Sequence, residues 1–277
     1  MEFTLNTKNL TGEFAWSSNF NISFNKNKVL EVGVDGRPIY GSAANANNAF
    51  ITKPGYPIAS FYGYKYIGVF QSEEELAKYP HLSGDKVGDG RYEDVNKDGV
   101  LDQNDKTILG DNNPLFTAGF SNSFSYKNFT LDIQFTGSYG AEVFSFYKRM
   151  CGIYHGDRNG MIEQLGRWQS KDQPGDGIHF RPTRTPSGWQ RDPSSAWVQD
   201  ASYLRLRNLT LGYNFDQKVL DKMKMKGLRL YVTGQNLFTI TNYVGYDPET
   251  SSESGLAQGG DYLGYPAARS FIIGANI

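Results

Sequence analysis

The protein has 277 residues and a formal net charge of −1, so it has no overall field that would attract nucleic acid, and no nucleic-acid partner is predicted. Aromatic residues make up 14% of the sequence, yet the mean hydropathy is only −0.52. No apolar run approaches the roughly 20 residues of a membrane-spanning helix. Membrane-spanning β-strands, in which apolar and polar residues alternate, are compatible with a polar mean hydropathy.

Alternation of apolar and polar residues is the dominant pattern along the chain and predicts β-strands. In chain order, the alternating runs are 14–24, 116–126, 129–139, 228–232 and 271–277. The second and third runs are separated only by Lys127 and Asn128, and two strands around a two-residue polar break form a β-hairpin. The sequence therefore predicts an all-β protein with antiparallel strands.

The two faces of these strands differ from those of a soluble sheet. In 116–126 and 129–139, the apolar face is opposed mainly by Ser, Thr, Asn and Gln rather than by Lys and Glu. Such a face suits a wet lumen, while the apolar face suits outer-membrane lipid. Aromatic residues gather near strand ends, as an interfacial girdle requires: Tyr126, Phe129, Tyr139, Tyr213 and Phe215. These features predict a transmembrane antiparallel β-barrel.

One predicted strand, within 203–215, changes phase. Leu204 and Leu206 have one phase, and Leu209 and Leu211 have the other. A β-bulge near Arg207–Asn208 would bring both pairs to the same face. Alternatively, Arg205 and Arg207 face outward at the membrane rim.

Connections between the predicted strands alternate in length. Short links occur at 9–12, 127–128 and 216–227, and long ones occur at 27–47, 71–114, 141–200 and 238–267. Outer-membrane barrels show this asymmetry, with short periplasmic turns and long extracellular loops. Counted back from residue 277, the predicted strands must alternate in direction across the membrane. This alternation requires one descending and one ascending strand within 48–70, which gives about nine strands.

Residues 94–105 match an EF-hand calcium loop. The predicted Ca²⁺ ligands are Asp94, Asn96, Asp98, the carbonyl group of Val100, Asp102 and Asp105. Gly99 supplies the sharp turn of this loop, and the closing residue is Asp rather than Glu, which is similar to dockerin-type loops. No amphipathic helix precedes the loop, so a calcium sensor is not predicted. We expect a structural Ca²⁺ that orders a long extracellular loop; the alternative is a turn without metal.

Catalytic motifs are missing from the sequence. His81, His155 and His179 have no metal-ligand spacing, and no G-x-S-x-G, Walker or H-E-x-x-H motif occurs. A glycoside hydrolase would have to use carboxylates such as Asp172 and Asp176 across a cleft. Acids this close in a loop sequence are usually only solvated, so the sequence predicts that the protein is not an enzyme.

The connection 141–200 is longer than loops that serve only to join two strands, and it is rich in Trp and Arg. The residues concerned are Trp168, Trp189, Trp197, Arg158, Arg167, Arg181, Arg184 and Arg191. Aromatic rings and guanidinium groups suit a sugar, a peptide or a partner protein. Packing of the loop on itself over the barrel mouth explains the same composition, and the sequence leaves both interpretations open.

Five segments, in chain order, resemble the C-terminal barrel of SusC-like (RagA-like) TonB-dependent outer-membrane transporters of Bacteroidetes. They are GYPIASFYGYKYIGVFQS, DVNKDGVLDQNDKTILGDNNPLFTAGFSNSFSYKNFTLDIQFTGSYG, RWQSKD, WVQDASYLRLRNLTLGYNF and LRLYVTGQNLFTITNYVGYDPE. The resemblance implies a barrel of about 22 strands around a plug. It also implies a SusD-like surface lipoprotein as partner, energy from the TonB complex, and import of glycans or oligosaccharides or, in some members, peptides.

The resemblance extends over residues 1–277, in which no signal peptide, TonB box or plug is recognised. About nine strands would leave two unpaired sheet edges, which lipid cannot satisfy. We therefore expect the chain to be the C-terminal part of such a barrel. The alternative is a secreted, calcium-stabilised β-sandwich that binds glycans, which would present charged residues to water on one sheet face.

Overall fold

The computed structural model describes residues 1–43, 46–152, 159–182, 192–250 and 254–277. Strands predominate in these residues, as alternation predicts. They are β1 (Glu2–Leu10), β2 (Phe14–Ser23), β3 (Ile39–Ala43), β4 (Ala46–Thr52), β5 (Ser60–Gly63), β6 (Tyr66–Val69), β7 (Gly90–Tyr92), β8 (Thr107–Gly110), β9 (Phe116–Tyr126), β10 (Phe129–Tyr139), β11 (Glu142–Ser145), β12 (Val198–Asp200), β13 (Tyr203–Asn214), β14 (Arg229–Thr241), β15 (Gly260–Asp261) and β16 (Ser270–Asn276).

Helices are short in the described residues: α1 (Glu73–Lys78), α2 (Phe146–Gly152) and α3 (Gln217–Met223). The link 216–227 thus contains two helical turns, and Leu220 is its buried anchor. Within the described part of the chain, no helix combines the length and the apolar character needed to cross a bilayer.

The long strands form one antiparallel sheet, in the order β1-β2-β9-β10-β13-β14-β16. Short turns join β1 to β2, β9 to β10 and β13 to β14, whereas three long connections join the other neighbours. The short turns all lie at one end of the sheet and the long connections at the other, because every neighbouring pair is antiparallel. This is the alternation that the sequence predicts.

The strand pair expected within 48–70 is not part of this sheet. β4 and β5 belong to a separate four-stranded sheet with β3 and β8. The physical reason is visible in β4, where four consecutive residues, Ala49–Thr52, are buried without alternation. β2 pairs directly with β9, so no additional pair is needed for parity. In the described residues the long sheet has seven strands, and the prediction of about nine is corrected.

Strand register places the apolar residues of the long sheet in rows on one face. One row is Leu5, Phe20, Phe120, Phe135, Leu206 and Phe238, and the next is Trp16, Phe124, Leu131, Leu211, Val232 and Ile273. Many of these side chains remain open to solvent: Leu5 is 59% exposed, Leu211 52% and Ile273 85%. An apolar face this exposed differs from the buried interior of a β-sandwich, in which a second sheet would cover it.

The opposite face carries rows of small polar side chains. Ser123 donates a hydrogen bond to Asp132 on the neighbouring strand (2.7 Å), and the hydroxyl groups of Thr210 and Thr233 lie 2.8 Å apart. These cross-strand pairs satisfy polar groups without the Lys and Glu residues that a water-facing sheet usually presents. The sheet therefore has one apolar face and one hydroxyl-rich face.

A β-bulge at Arg207 resolves the phase change in β13. Leu206 pairs with Phe135 and Asn208 pairs with Gln134, so Arg207 is the extra residue. Both leucine pairs of the strand consequently lie on the apolar face, as the bulge interpretation requires. The alternative, with both arginines facing outward at the rim, is wrong, because Arg205 is 2% exposed and forms ion pairs with loop acids.

Candidate functional site

The three long connections pack together at one end of the sheet around a shared aromatic core. The first connection contributes Phe50 and Phe61, and the second contributes Phe144, Phe146 and Trp197. Ring centroids of Phe144 lie 5.3–5.8 Å from those of the other four aromatic residues. The third connection joins this core through Ala257 and through β15, which pairs with β11. The connections therefore form one ordered layer rather than separate loops.

A buried ion cluster fixes the third connection to the long sheet. The Arg205 guanidinium group lies 2.6 Å from an Asp247 carboxylate oxygen and also pairs with Glu249. Arg207, the bulge residue, reaches the other oxygen of Glu249 at 2.6 Å. Asp247 in turn accepts a hydrogen bond from the backbone N–H of Ala267, where the chain returns to the sheet. The two arginines of β13 therefore act as a latch that ties the described part of the third connection, 242–250 and 254–269, to the long sheet.

The carboxyl groups of this latch predict acid-sensitive stability. Burial raises the pKa of Asp247 and of Glu249, but hydrogen bonds from Arg205 and Arg207 outweigh it, so both pKa values lie below their ordinary values. The carboxyl groups of the unfolded chain therefore bind protons at a higher pH than those of the folded chain. The stabilisation that these ion pairs give above about pH 4 is lost as the pH falls through the native pKa values. We expect the melting temperature to fall steeply below about pH 4 and less steeply in Asp247→Asn. Equal slopes in the two proteins would contradict this role.

Residues 94–105 form a tight loop that is held by hydrogen bonds from backbone N–H groups to its own Asp side chains. Asp94 accepts hydrogen bonds from the backbone N–H groups of Lys97 (2.7 Å) and Gly99 (2.9 Å), and Asp98 accepts one from Val100. Gly99 (φ 83°), where the sharp turn was predicted, adopts a left-handed backbone conformation, and so does Lys97 (φ 61°). Each carboxylate oxygen has further lone pairs beyond these bonds.

The closing residue of the loop, Asp105, is completely buried. Its carboxylate accepts hydrogen bonds from the N–H groups of Val95 (2.9 Å) and Asp102 (2.8 Å), which tie the two ends of the loop together. Leu101 is buried against Tyr64 and Tyr92 and anchors the same loop to the layer of connections. Among the described residues, no group of three or more His, Cys, Asp or Glu side chains is arranged to hold a metal ion, so Ca²⁺ remains a prediction here.

The described Trp and Arg residues of the second connection are engaged in packing. Trp197 is buried in the aromatic core. The Arg181 guanidinium group pairs with the nearly buried Asp89 (2.8 Å), and the ring of Trp168 closely faces Gly88. These contacts correspond to the self-packing interpretation for this part of the connection. Four of the Trp and Arg residues that the sequence singles out in 141–200 lie outside the described residues, as does one of the three histidines. They are Trp189, Arg158, Arg184, Arg191 and His155.

Of the two acids considered for a glycosidase pair, Asp176 lacks the raised pKa of a general acid. Burial raises the pKa of Asp176, but hydrogen bonds from the backbone and ring of His179 and from the Ile178 N–H bring it below its ordinary value. A general acid at neutral pH needs a raised pKa instead. Asp172 is exposed.

A cavity of about 370 Å³ lies within the layer of connections, between α2, the 3₁₀ turn Ile162–Gly166 and residues 178–180. Its walls include Tyr66, Gln164, Phe180 and Trp197. Sequence reasoning missed this site, because Gln164 belongs to no motif and its neighbours come from distant segments.

Comparison with known proteins gives consistent relatives along the whole chain, although no family model matches. The chain is 35% identical to TonB-dependent receptor P3 of Formosa agariphila, with all of this chain and 28% of that protein aligned. It is 27% identical to TonB-dependent receptor SusC of Bacteroides thetaiotaomicron, again over its full length and over 26% of SusC. The chain thus spans a little over a quarter of the length of the curated relatives it matches.

A solved structure has the same fold. The chain superposes on the RagAB peptide transporter with a TM-score of 0.77 and 20% identity, covering 99% of this chain and 28% of that one. The family resemblance and the outer-membrane location predicted from the sequence are both confirmed by these relatives. The chain belongs to the SusC-like TonB-dependent receptors, which are outer-membrane proteins of Bacteroidetes.

Proposed function

We propose that this chain forms part of the barrel wall and the extracellular vestibule of a TonB-dependent importer, and that it is not an enzyme. The observation that carries the proposal is the sidedness of the long sheet, whose exposed apolar rows oppose a hydroxyl-rich face. Hydrocarbon satisfies the first face and a water-filled lumen satisfies the second. Among the residues that the structure describes, no strand pairs with the outer edges of β1 and β16, and such edges need partners in a membrane, which supports a larger barrel.

The cargo and partners of the importer are part of the proposal. The family resemblance supports glycans or oligosaccharides as cargo, with peptides as the second candidate, because the structural neighbour is a peptide transporter. A SusD-like lipoprotein would contact the layer of long connections, and the TonB complex would act through a plug that the barrel encloses. Exposed aromatic residues on the third connection, Tyr246, Tyr262 and Tyr265, suit such a protein contact.

An uptake measurement tests the importer. Cells with the gene and cells lacking it are given labelled oligosaccharides and labelled oligopeptides, with and without a functional TonB protein. We expect gene-dependent and TonB-dependent uptake of oligosaccharide. Uptake that is unchanged by loss of the gene would contradict the importer. Uptake of peptide alone would show that the cargo is peptide rather than oligosaccharide.

Charge substitution on the two faces tests the sidedness directly. Phe120 lies in an apolar row at the middle of β9, and Ser123 lies on the opposite face beside Asp132. We expect Phe120→Arg to destabilise the sheet in bilayers by about 2–4 kcal/mol, because the arginine would face hydrocarbon. Ser123→Arg is the matched control and should fold normally. The readout is the folded, heat-modifiable band in gel electrophoresis. If both variants lose this band to the same extent, the assignment of faces is wrong.

We further propose that residues 94–105 bind a structural Ca²⁺ through the predicted ligands Asp94, Asn96, Asp98, Val100, Asp102 and Asp105. The turn at Gly99 supports this, as does the burial of Asp105, whose described partners are neutral N–H groups only. A buried carboxylate is stabilised by a cation. Bound Ca²⁺ would hold the loop between β7 and β8 in place and would not switch its conformation.

A chelation experiment tests the metal. We expect Ca²⁺ to raise the melting temperature of the wild-type chain and Asp98→Asn to abolish that shift while retaining an acceptor for the Val100 N–H. Asp221→Asn, on α3, is the control and should keep the full shift. An equal melting temperature of the wild-type chain in Ca²⁺ and in chelator would contradict Ca²⁺ binding by this loop.

A further inference from the structure

A slot interrupts the apolar face of the long sheet near the end where the long connections lie. Strand pairing places Ala118 of β9 directly beside Gly137 of β10. The row across the sheet that contains them is Ile22, Ala118, Gly137, Leu204 and Ile240. Two neighbouring residues with so little side chain leave a gap between larger ones, and the slot above them has a volume of about 480 Å³. The register of the sheet therefore creates the slot.

Aromatic rings form the walls of the slot. Toward the long connections, Phe116 and Tyr139 stack with their ring centroids 5.5 Å apart. Toward the short turns, Phe120 and Phe135 lie opposite each other on the same two strands. Ile240, at the edge of the slot, is 63% exposed, so the slot opens onto the surroundings of the apolar face. The slot thus has small residues as its floor and aromatic rings on two sides.

Polar groups close the slot at the end nearest the long connections. They are Asp200, Ser202 and Asn242. Asp200 accepts hydrogen bonds from the backbone N–H (2.8 Å) and from the hydroxyl group of Ser202, which orient its carboxylate, and the residue remains exposed. The rim of the slot therefore presents a negative charge at the level where the apolar face ends.

An alkyl chain is the group that fits such a slot. In the proposed function the apolar face lies against hydrocarbon and the long connections lie outside the cell, so the slot opens into the outer leaflet and its rim lies at the level of the headgroups. A chain in the slot supplies the packing contacts that Ala118 and Gly137 do not make. At the rim, the Asp200 carboxylate attracts a cationic headgroup and repels an anionic one.

We propose that this slot binds one acyl chain of an ethanolamine phospholipid from the outer leaflet, with the ammonium group of the lipid beside Asp200. The acyl chain lies over Ala118 and Gly137, between the two pairs of aromatic rings. The inference rests on the proposed function, because it requires the apolar face to lie against the membrane. A side chain from a second copy of the chain is the competing occupant, and it would fill the slot only in a dimer.

Native mass spectrometry of the full chain in a mild detergent, after removal of bound lipid, tests the site. The probes are dipalmitoyl phosphatidylethanolamine and dipalmitoyl phosphatidylglycerol, which share their acyl chains and differ in headgroup charge. We expect one ethanolamine lipid to bind the wild-type chain about three- to fivefold more tightly than the glycerol lipid. In Asp200→Asn the two lipids should bind equally, because the charge is lost while an acceptor for the Ser202 N–H remains.

Variants that fill the slot provide the second part of the test. We expect Ala118→Phe to weaken binding of the ethanolamine lipid about tenfold. Ala118→Leu is less bulky and serves if Ala118→Phe does not fold; it should weaken binding about threefold. Ala275→Phe is the matched control, because Ala275 is exposed on the same face near the short turns, and it should bind the lipid as the wild-type chain does.

Four results would overturn the site. They are absence of lipid binding to the wild-type chain, equal binding of the two lipids by the wild-type chain, equal weakening in Ala118→Phe and Ala275→Phe, and lipid-free dimers that Ala118→Phe dissociates. The comparison of Phe120→Arg with Ser123→Arg tests the sidedness of the sheet separately. If those two variants behave as expected while lipid binding fails, the slot proposal is wrong and the importer proposal stands.

Discussion

Replacing Phe144 with alanine is expected to destabilise the layer of long connections by about 3–5 kcal/mol, the usual cost of removing a buried phenylalanine side chain. Phe144 is completely buried and lies at the centre of the aromatic core, in contact with rings from the first and second connections. Its β-strand also pairs with β12 and β15. The cavity left by the alanine therefore opens between all three connections.

Limited proteolysis combined with denaturant titration measures this effect. In Phe144→Ala we expect faster cleavage within the connections, while the strands of the long sheet stay protected, because the core does not include them. Tyr265→Ala is the matched control, since that side chain is fully exposed and its loss should change neither measurement. Unfolding of the long sheet at the same denaturant concentration as the connections would instead mean that the layer and the sheet form one cooperative unit.

The parts of the fold that follow local rules were predictable from the sequence. The hairpin at Lys127–Asn128 follows from alternation on both sides of a polar pair. The bulge at Arg207 follows from the phase difference between its flanking leucines, because a side-chain period of two leaves no other way to bring both to one face. Both predictions use residues that are neighbours in sequence and need no knowledge of the rest of the chain.

The layer of connections was not predictable in the same way. The short strands β4 and β11 are buried on both faces, so they show no alternation and are hard to recognise. The carboxylate partners of Arg205 lie more than 40 residues away in the chain, and nothing near Asp247 indicates an ion pair. The burial of Gln164 is a property of the assembled layer. Long-range packing, which a single sequence does not encode locally, decides each of these features.

Replacing Arg205 with methionine is expected to cost about 3–5 kcal/mol, because it leaves a buried carboxylate without its cation. Asp247 is only 8% exposed, and the hydrogen bond it accepts from the Ala267 N–H holds the chain where it returns to β16. The connection 242–269 should therefore detach from the sheet, and its amide hydrogens should exchange faster. Arg37→Met is the control, because the Arg37–Asp35 pair is solvent-exposed and such pairs contribute little.

A double variant separates the lost attraction from the lost packing of the long side chain. In Arg205→Met with Asp247→Asn, the buried charge is removed together with its partner, so we expect the double variant to be more stable than the sum of the two single effects predicts. The acid sensitivity below about pH 4 should also be weaker than in the wild-type chain, because Asp247 no longer titrates. Strictly additive effects would assign Arg205 to packing alone, and the latch would then be held by the hydrophobic contacts of the third connection.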